Sequence, residues 1–178
     1  MDFERLKNLA LEAGFTNVGR LSVSTIELKE DVRGMCEQNT CGRYGKSWSC
    51  PPGCGTLPEC EEKIRKYQEG ILLQTVGDLE DEFDGEGMME ASERHAENML
   101  RFRELLLREV PGALVLGAGS CRICKECTCP ESPCRFPKSR IESMEANGML
   151  VLEVCQKNGM EYYYGKEKIA YTGCALIR

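Results

Sequence analysis

Histidine is nearly missing from this chain of 178 residues: His95 is the only one, and Trp48 is the only tryptophan. With one imidazole there is no nucleophile–histidine–acid set, which argues against hydrolysis by a triad. No Gly-x-Gly-x-x-Gly turn and no P-loop is present, so the usual phosphate cradles of nucleotide-dependent enzymes are missing. No apolar run approaches the roughly 20 residues of a membrane span. The opening stretch "MDFERLKNLA" is charged and amphipathic, without the apolar core of a signal peptide. A basic surplus is lacking too. The net charge of −6 argues against general binding to nucleic acid or to anionic membranes. These absences lead to the expectation of a cytoplasmic protein.

What the chain has instead is cysteine, twelve of them in an otherwise ordinary composition of 42% hydrophobic and 29% charged residues. In a reducing compartment, dense cysteine points to metal ligands or redox groups before structural bridges. Five lie early, at Cys36, Cys41, Cys50, Cys54 and Cys60, and five lie in "GSCRICKECTCPESPCRFP", at Cys121, Cys124, Cys127, Cys129 and Cys134. Cys155 and Cys174 stand apart in apolar surroundings and are expected to be inert core. Charge follows the cysteines. Residues 121–140 hold Arg122, Lys125, Arg135, Lys138 and Arg140 against Glu126 and Glu131, and residues 36–54 hold Arg43 and Lys46 against Glu37. Cations among thiols lower their pKa and offset the charge of a thiolate-ligated centre.

The length suits one domain, 1–178, that buries roughly 70% of its unfolded surface. Phe3, Leu6, Leu9, Ala10 and Ala13 recur at helical spacing up to a stop at Gly14. "FTNVGRLSVSTI" reads as a strand, the Gly- and Pro-rich 34–57 as irregular loop, and Thr56 with Pro58 as the start of a short helix to about Gln68. "ILLQTV" is a buried strand, and the acidic run 78–86 a solvated loop. A long helix is expected from about Gly87 to Val110, with His95 on its apolar stripe as a core residue and not a ligand. "ALVLGAGS" is a strand that delivers the chain into the second cysteine group. Beyond it the pattern predicts a helix over Pro137–Ala146, a strand "MLVLEVCQ" turning at Asn158-Gly159 into "MEYYYG", and a last strand "IAYTGCALI". The expected fold is α+β or layered α/β: a mixed sheet of about five or six strands, about four helices and two cysteine-rich metal-binding loops near 34–60 and 119–137.

Cys121-x2-Cys124-x2-Cys127 is the sharpest signal. Cubane iron–sulfur clusters take four thiolates, and the bacterial ferredoxin run supplies three at this spacing, with a later Cys-Pro. Here the Cys-Pro pair is Cys129-Pro130, one residue beyond Cys127 and not three. Cys134 is therefore the preferred fourth ligand, Cys129 the reserve, and Cys50 in "SWSCPPGC" a third candidate. The early group Cys36-x4-Cys41-x8-Cys50-x3-Cys54, with Cys60 in reserve, suggests a second centre or ligands shared with the first. Zinc competes, but structural zinc prefers four Cys/His ligands in two separated pairs.

"MCEQNTCGRYGKSWSCPP", with "GSCRICKECTCPESPCRFP" and "SMEANGM" far downstream, resembles the prokaryotic family known as predicted metal-binding protein, domain of unknown function 2284. The resemblance runs from about Cys36 to the end of the chain. It implies metal binding at Cys36, Cys41, Cys50, Cys121, Cys124, Cys127 and Cys134, and no settled reaction. A fainter likeness, to iron–sulfur epoxyqueuosine-reductase-type proteins, rests on "LKNLALEAGFTNVGRLS" and a ferredoxin-like motif after a strand. Neither a corrinoid site nor a catalytic acid is found to extend it.

The function expected is that of an iron–sulfur protein with one or two [4Fe-4S]-type clusters. It would act in electron transfer or as the reductive partner of an enzyme, with a redox protein or enzyme as its partner. A structural zinc or metal-trafficking module that binds a protein is one alternative. A small cluster-dependent reductase is the other. No catalytic residue is assigned.

Overall fold

The structure is a computed structural model and describes residues 1–178. Alternation along two long strands sets its architecture. In β2 (Glu69–Asp78) Ile71 and Leu73 face one way and Leu72 the other; in β5 (Lys168–Ile177) Ala175 and Ile177 oppose Cys174 and Leu176. Both faces of these strands are apolar, so both must be covered. The chain supplies a helical layer for each.

The first layer is α1 (Phe3–Ala13) and α4 (Gly85–Glu109), which bring Leu6, Leu9, Ala10, Met99, Phe102 and Leu106 onto one face. Asp2 caps α1 by accepting from the Arg5 N–H at 2.8 Å, and Gly14 stops it at φ +107°. The second layer comes from α3 (Leu57–Ile64), α5 (Val151–Lys157) and the 3-10 turn Glu145–Asn147, with Ile64, Met144, Met149, Val154 and Cys155 packed on the other face. A Thr56–Glu59 capping box opens α3.

The sheet is completed by β1 (Asn17–Ser22), β3 (Leu114–Gly117) and the two-residue β4 (Glu142–Ser143), in the order β1-β2-β5-β3-β4. All pairs are antiparallel except β3–β4. The expected mixed sheet in one α+β domain is therefore what forms, with five strands and five α-helices. No helix is long and apolar enough to cross a membrane.

Four local expectations are corrected. "MLVLEVCQ" is not a strand: Val151, Val154 and Cys155 are buried while Leu152 and Gln156 are exposed, a helical period that outweighs the β-branched residues. Asn158-Gly159 accordingly ends α5 and turns no hairpin; Gly159 sits at φ +70° and Asn158 Nδ2 donates to the Val154 carbonyl at 2.8 Å. The helix expected over Pro137–Ala146 is replaced by turns and β4, whose Glu142 and Ser143 pair with Leu116 and Gly117 of β3. Glu142 receives Lys63 at 2.5 Å and Arg140 at 2.9 Å. Finally, α2 (Glu30–Glu37) extends regular structure through Cys36, inside the segment expected to be loop.

His95 is core, as its position on the stripe of α4 suggests, and is 1% exposed. Its Nδ1 lies 3.0 Å from Thr75 Oγ1, its ring meets Phe15 edge-on, and Nε2 has no partner. Burial, with a smaller push from Arg122, lowers its pKa to about 4. The unfolded chain, with a histidine pKa of about 6.5, takes up a proton in a range where the folded protein does not. Stability is thus expected to fall by about 3 kcal/mol as pH drops from about 6.5 to about 4. Urea denaturation across that range is the check, and a His95→Gln variant with an unchanged pH slope refutes the attribution.

Candidate metal centre

β3 leaves the sheet at Gly117, and the chain turns at Gly119, φ +71°, into the second cysteine group. Opposite it, the chain leaves the last turn of α2 at Cys36 and loops through Cys41 and Cys50 before α3 begins. From the sheet side, β4 and the following 3-10 turn supply Ser143, Glu145 and Ala146. Between these three segments lies a cavity of about 610 Å³, and Cys36, Cys41, Cys50, Cys121, Cys124 and Cys127 stand on its wall.

Short hydrogen bonds clip the two loops together. The backbone N–H of Cys121 donates to Ser49 Oγ at 2.8 Å, and the Ser49 and Ser47 hydroxyls are paired at 2.9 Å, both side chains buried. Trp48 Nε1 donates across to the Ser132 carbonyl at 2.9 Å, and the Cys129 thiol to the Gly45 carbonyl at 3.6 Å. Gly53 allows the turn after Cys50 to lie against the chain before it: a Cβ there would sit 3.1 Å from the Ser47 carbonyl and from Trp48 Cα.

The electrostatics divide the thiols. Burial pushes Cys36 and Cys50 up, opposed at Cys36 by Arg33 and at Cys50 by the Ser49 and Ser47 hydroxyls. Burial also opposes ionisation of Cys127, yet hydrogen bonds from the backbone at Trp48, Cys129 and Thr128 and from Ser47 together hold it below the ordinary thiol range. Arg43, Arg122 and Lys125 line the same cavity. Their charge favours bound thiolates over thiols. No three Cys, His, Asp or Glu side chains are drawn close enough to hold one ion between them. The thiols surround a volume and do not converge on a point.

The sequence profile of the family described as predicted metal-binding protein, domain of unknown function 2284, matches residues 19–177. The chain belongs to that family. No curated protein and no solved structure matches it.

In this member of the predicted metal-binding family, six of the eight expected ligands share the cavity wall. Cys134 does not line it. It lies in a small hollow behind the wall, with Trp48, Cys124, Cys127, Phe136 and Arg140. Of the three candidates for a ligand to join Cys121, Cys124 and Cys127, Cys50 is the one on the wall with them. Cys54 and Cys60 do not line the cavity; both are buried, next to each other and to a buried arginine. Arg33 Nη1 lies 3.9 Å from Cys54 Sγ and 3.7 Å from Cys60 Sγ, and it donates to the Ala146 carbonyl at 2.9 Å. Of this pair Cys60 is the better thiolate, lowered by its hydrogen bond with Cys54 and by Lys63 and Arg33, while Cys54 is raised.

Sequence reasoning assigned no role to Arg33, Ser47, Ser49 or Glu145. The serines carried a usable signal, since they alternate with Trp48 directly before Cys50. Arg33 carried none, because its partners are backbone carbonyls remote in sequence. Cys155 and Cys174 are core as expected, both 0% exposed, with burial raising Cys155 to about 11. Cys155→Ser should leave metal content per chain unchanged. Metal loss in that variant, by elemental analysis, contradicts a purely packing role.

Proposed function

We propose that this protein holds an iron–sulfur centre between its two cysteine loops and passes electrons between it and a protein partner. The observation that carries this reading is the single cavity of about 610 Å³ walled by six thiols drawn from both loops. Cubane clusters take four thiolates spread around a polynuclear core, whereas zinc gathers its sulfurs around one atom at about 2.3 Å. Cys121, Cys124 and Cys127 with Cys50 would hold the centre, and Cys36 and Cys41 stand beside it. Bound there, such a centre supplies one-electron chemistry.

The chain's own groups do the rest. Backbone N–H groups and the Ser47 hydroxyl directed at Cys127 lower the electron density on sulfur, which tunes potential. Exposed Arg43, Lys46, Arg122, Lys125, Arg135 and Lys138 ring the loops, and none of them forms an ion pair within the chain. That collar suits a redox partner with an acidic face, and association through it weakens as salt rises. A reducing compartment such as the cytoplasm keeps all twelve cysteines free, the state in which they stand here.

Metal and sulfide analysis with absorbance and EPR spectra, on protein purified without oxygen, tests the reading. About four irons and four sulfides per chain with a reducible brown chromophore are expected for one cubane. About eight of each indicates two centres. One or two zincs and no chromophore overturns the proposal in favour of a structural or trafficking role.

A further inference from the structure

Beside the cysteine cavity lies a second one, of about 370 Å³, at the loop that joins α5 to β5. Val151, Ala170 and the consecutive tyrosines Tyr162, Tyr163 and Tyr164 line it. Its size falls within the usual range for small-molecule sites. One residue, Glu145, lines both cavities. Its Oε2 is buried and has no hydrogen-bond partner. An unpartnered buried carboxyl oxygen is costly and uncommon, and the usual explanation is a missing partner.

The loop is built to present aromatic surface. Tyr164 is fixed: its hydroxyl accepts from Asn17 Nδ2 at 2.8 Å and donates to Gln74 Oε1 at 2.8 Å, tying it to β1 and β2. Tyr162 and Tyr163 are held through their backbone N–H groups, which donate to the Glu161 carboxylate at 3.0 and 3.4 Å. The two residues are left 37% and 66% exposed. Exposed tyrosines are ordinary one at a time. Two adjacent ones at the mouth of a cavity with a buried acid are a recognition surface.

We propose that this cavity binds a small organic ammonium ion, with its nitrogen donating to Glu145 and its carbon skeleton against Tyr162, Tyr163 and Tyr164. Tyrosine faces attract cations through the ring quadrupole, and a bound cation favours the carboxylate form of Glu145, whose pKa burial raises. Lys168, the cation on the lining, does not neutralise Glu145, because it is paired with Asp78. An anion would meet Glu145 unfavourably, and a purely apolar guest would leave Oε2 without a donor. The cysteine cavity, by contrast, is lined by Arg43, Arg122 and Lys125. The two cavities thus select opposite signs, with Glu145 on the divide. The site does not depend on which metal the cysteines hold.

Calorimetric titration of the metal-loaded protein with benzylamine, a primary ammonium at neutral pH, tests the site, with benzyl alcohol and benzoate as neutral and anionic controls. Benzylamine is expected to bind with a Kd below about 1 mM and the controls not to bind. Glu145→Gln should weaken binding at least about tenfold, and Tyr162→Leu should weaken it as well, with metal content and circular dichroism unchanged in the latter. No heat with benzylamine, or equal binding of benzyl alcohol, overturns the proposal. Should Glu145→Gln lose metal or fail to fold, Tyr162→Leu decides, since it lies off the cysteine wall; unaltered affinity there overturns it too.

Discussion

Cys50→Ser and Cys124→Ser are each expected to abolish the same chromophore completely, although 74 positions separate them in the sequence. Two separate centres, one per cysteine group, would lose half the iron in each variant. One centre with pooled ligands loses all of it in both, from about four irons to near none. The pooled outcome follows from the shared wall, where Cys50 stands with Cys121, Cys124 and Cys127. Serine preserves size and so isolates the loss of a soft thiolate ligand. Iron content and visible absorbance, on anaerobically purified variants of confirmed fold, are the measurements. Half-loss in either variant rejects the single pooled centre.

The second large effect is expected at Arg33. Its guanidinium donates from Nη1 to the Ala146 carbonyl at 2.9 Å and from Nη2 to the Gly55 carbonyl at 2.8 Å. These contacts pin α2, which carries Cys36, to the turn before α3 and to the floor of the cavity. Arg33→Leu leaves the Gly55 carbonyl without a donor and the Ala146 carbonyl with only the weak Cys54 thiol, in a site where the arginine is only 9% exposed. An unsatisfied buried group costs roughly 1–3 kcal/mol and a lost hydrogen bond from a charged donor roughly 1.5–3 kcal/mol, so a total near 3 kcal/mol is expected. For a domain of this size that lowers Tm by roughly 6–12 °C. Arg33→Lys should recover only part of the loss, because one ammonium does not reproduce the planar fork. A Tm within a degree or two of the parent for Arg33→Leu, by thermal circular dichroism, rejects the pinning role. The same variant should bind less metal, since Cys36 loses its anchor.

Much of the fold was legible because local signals agreed with one another. α1, α3 and α4 have apolar periodicity together with a cap or a stop, and β2 and β5 are apolar runs of strand length. The errors cluster where those signals disagree. In α5 the valines favour a strand while the burial period is helical, and in 137–146 the helical pattern yields to pairing of Glu142 and Ser143 with β3. α2 escaped notice because it buries only Val32 and Arg33, too little apolar surface to leave a period. Three of the thiols on the cavity wall were legible as one group from Cys121-x2-Cys124-x2-Cys127 alone. Whether the two cysteine groups form separate centres or share ligands was left open, because spacing reports local geometry and says nothing about which loops face each other. Glu145 was visible as one acid between Met144 and Ala146, but its place between two cavities belongs to the folded protein alone.

In the strand order β1-β2-β5-β3-β4, β3 and β4 join the rest of the sheet only through β5. β5 is also the last strand in chain order. A ribosome delivers the early cysteines, then the late ones, and only afterwards the segment that sets them in register. Until β5 inserts between β2 and β3, the halves of the thiol wall belong to two unconnected pieces of sheet. Long-range closure of this kind is slow. The thiol wall is thus backed by one continuous sheet only when its last strand is in place.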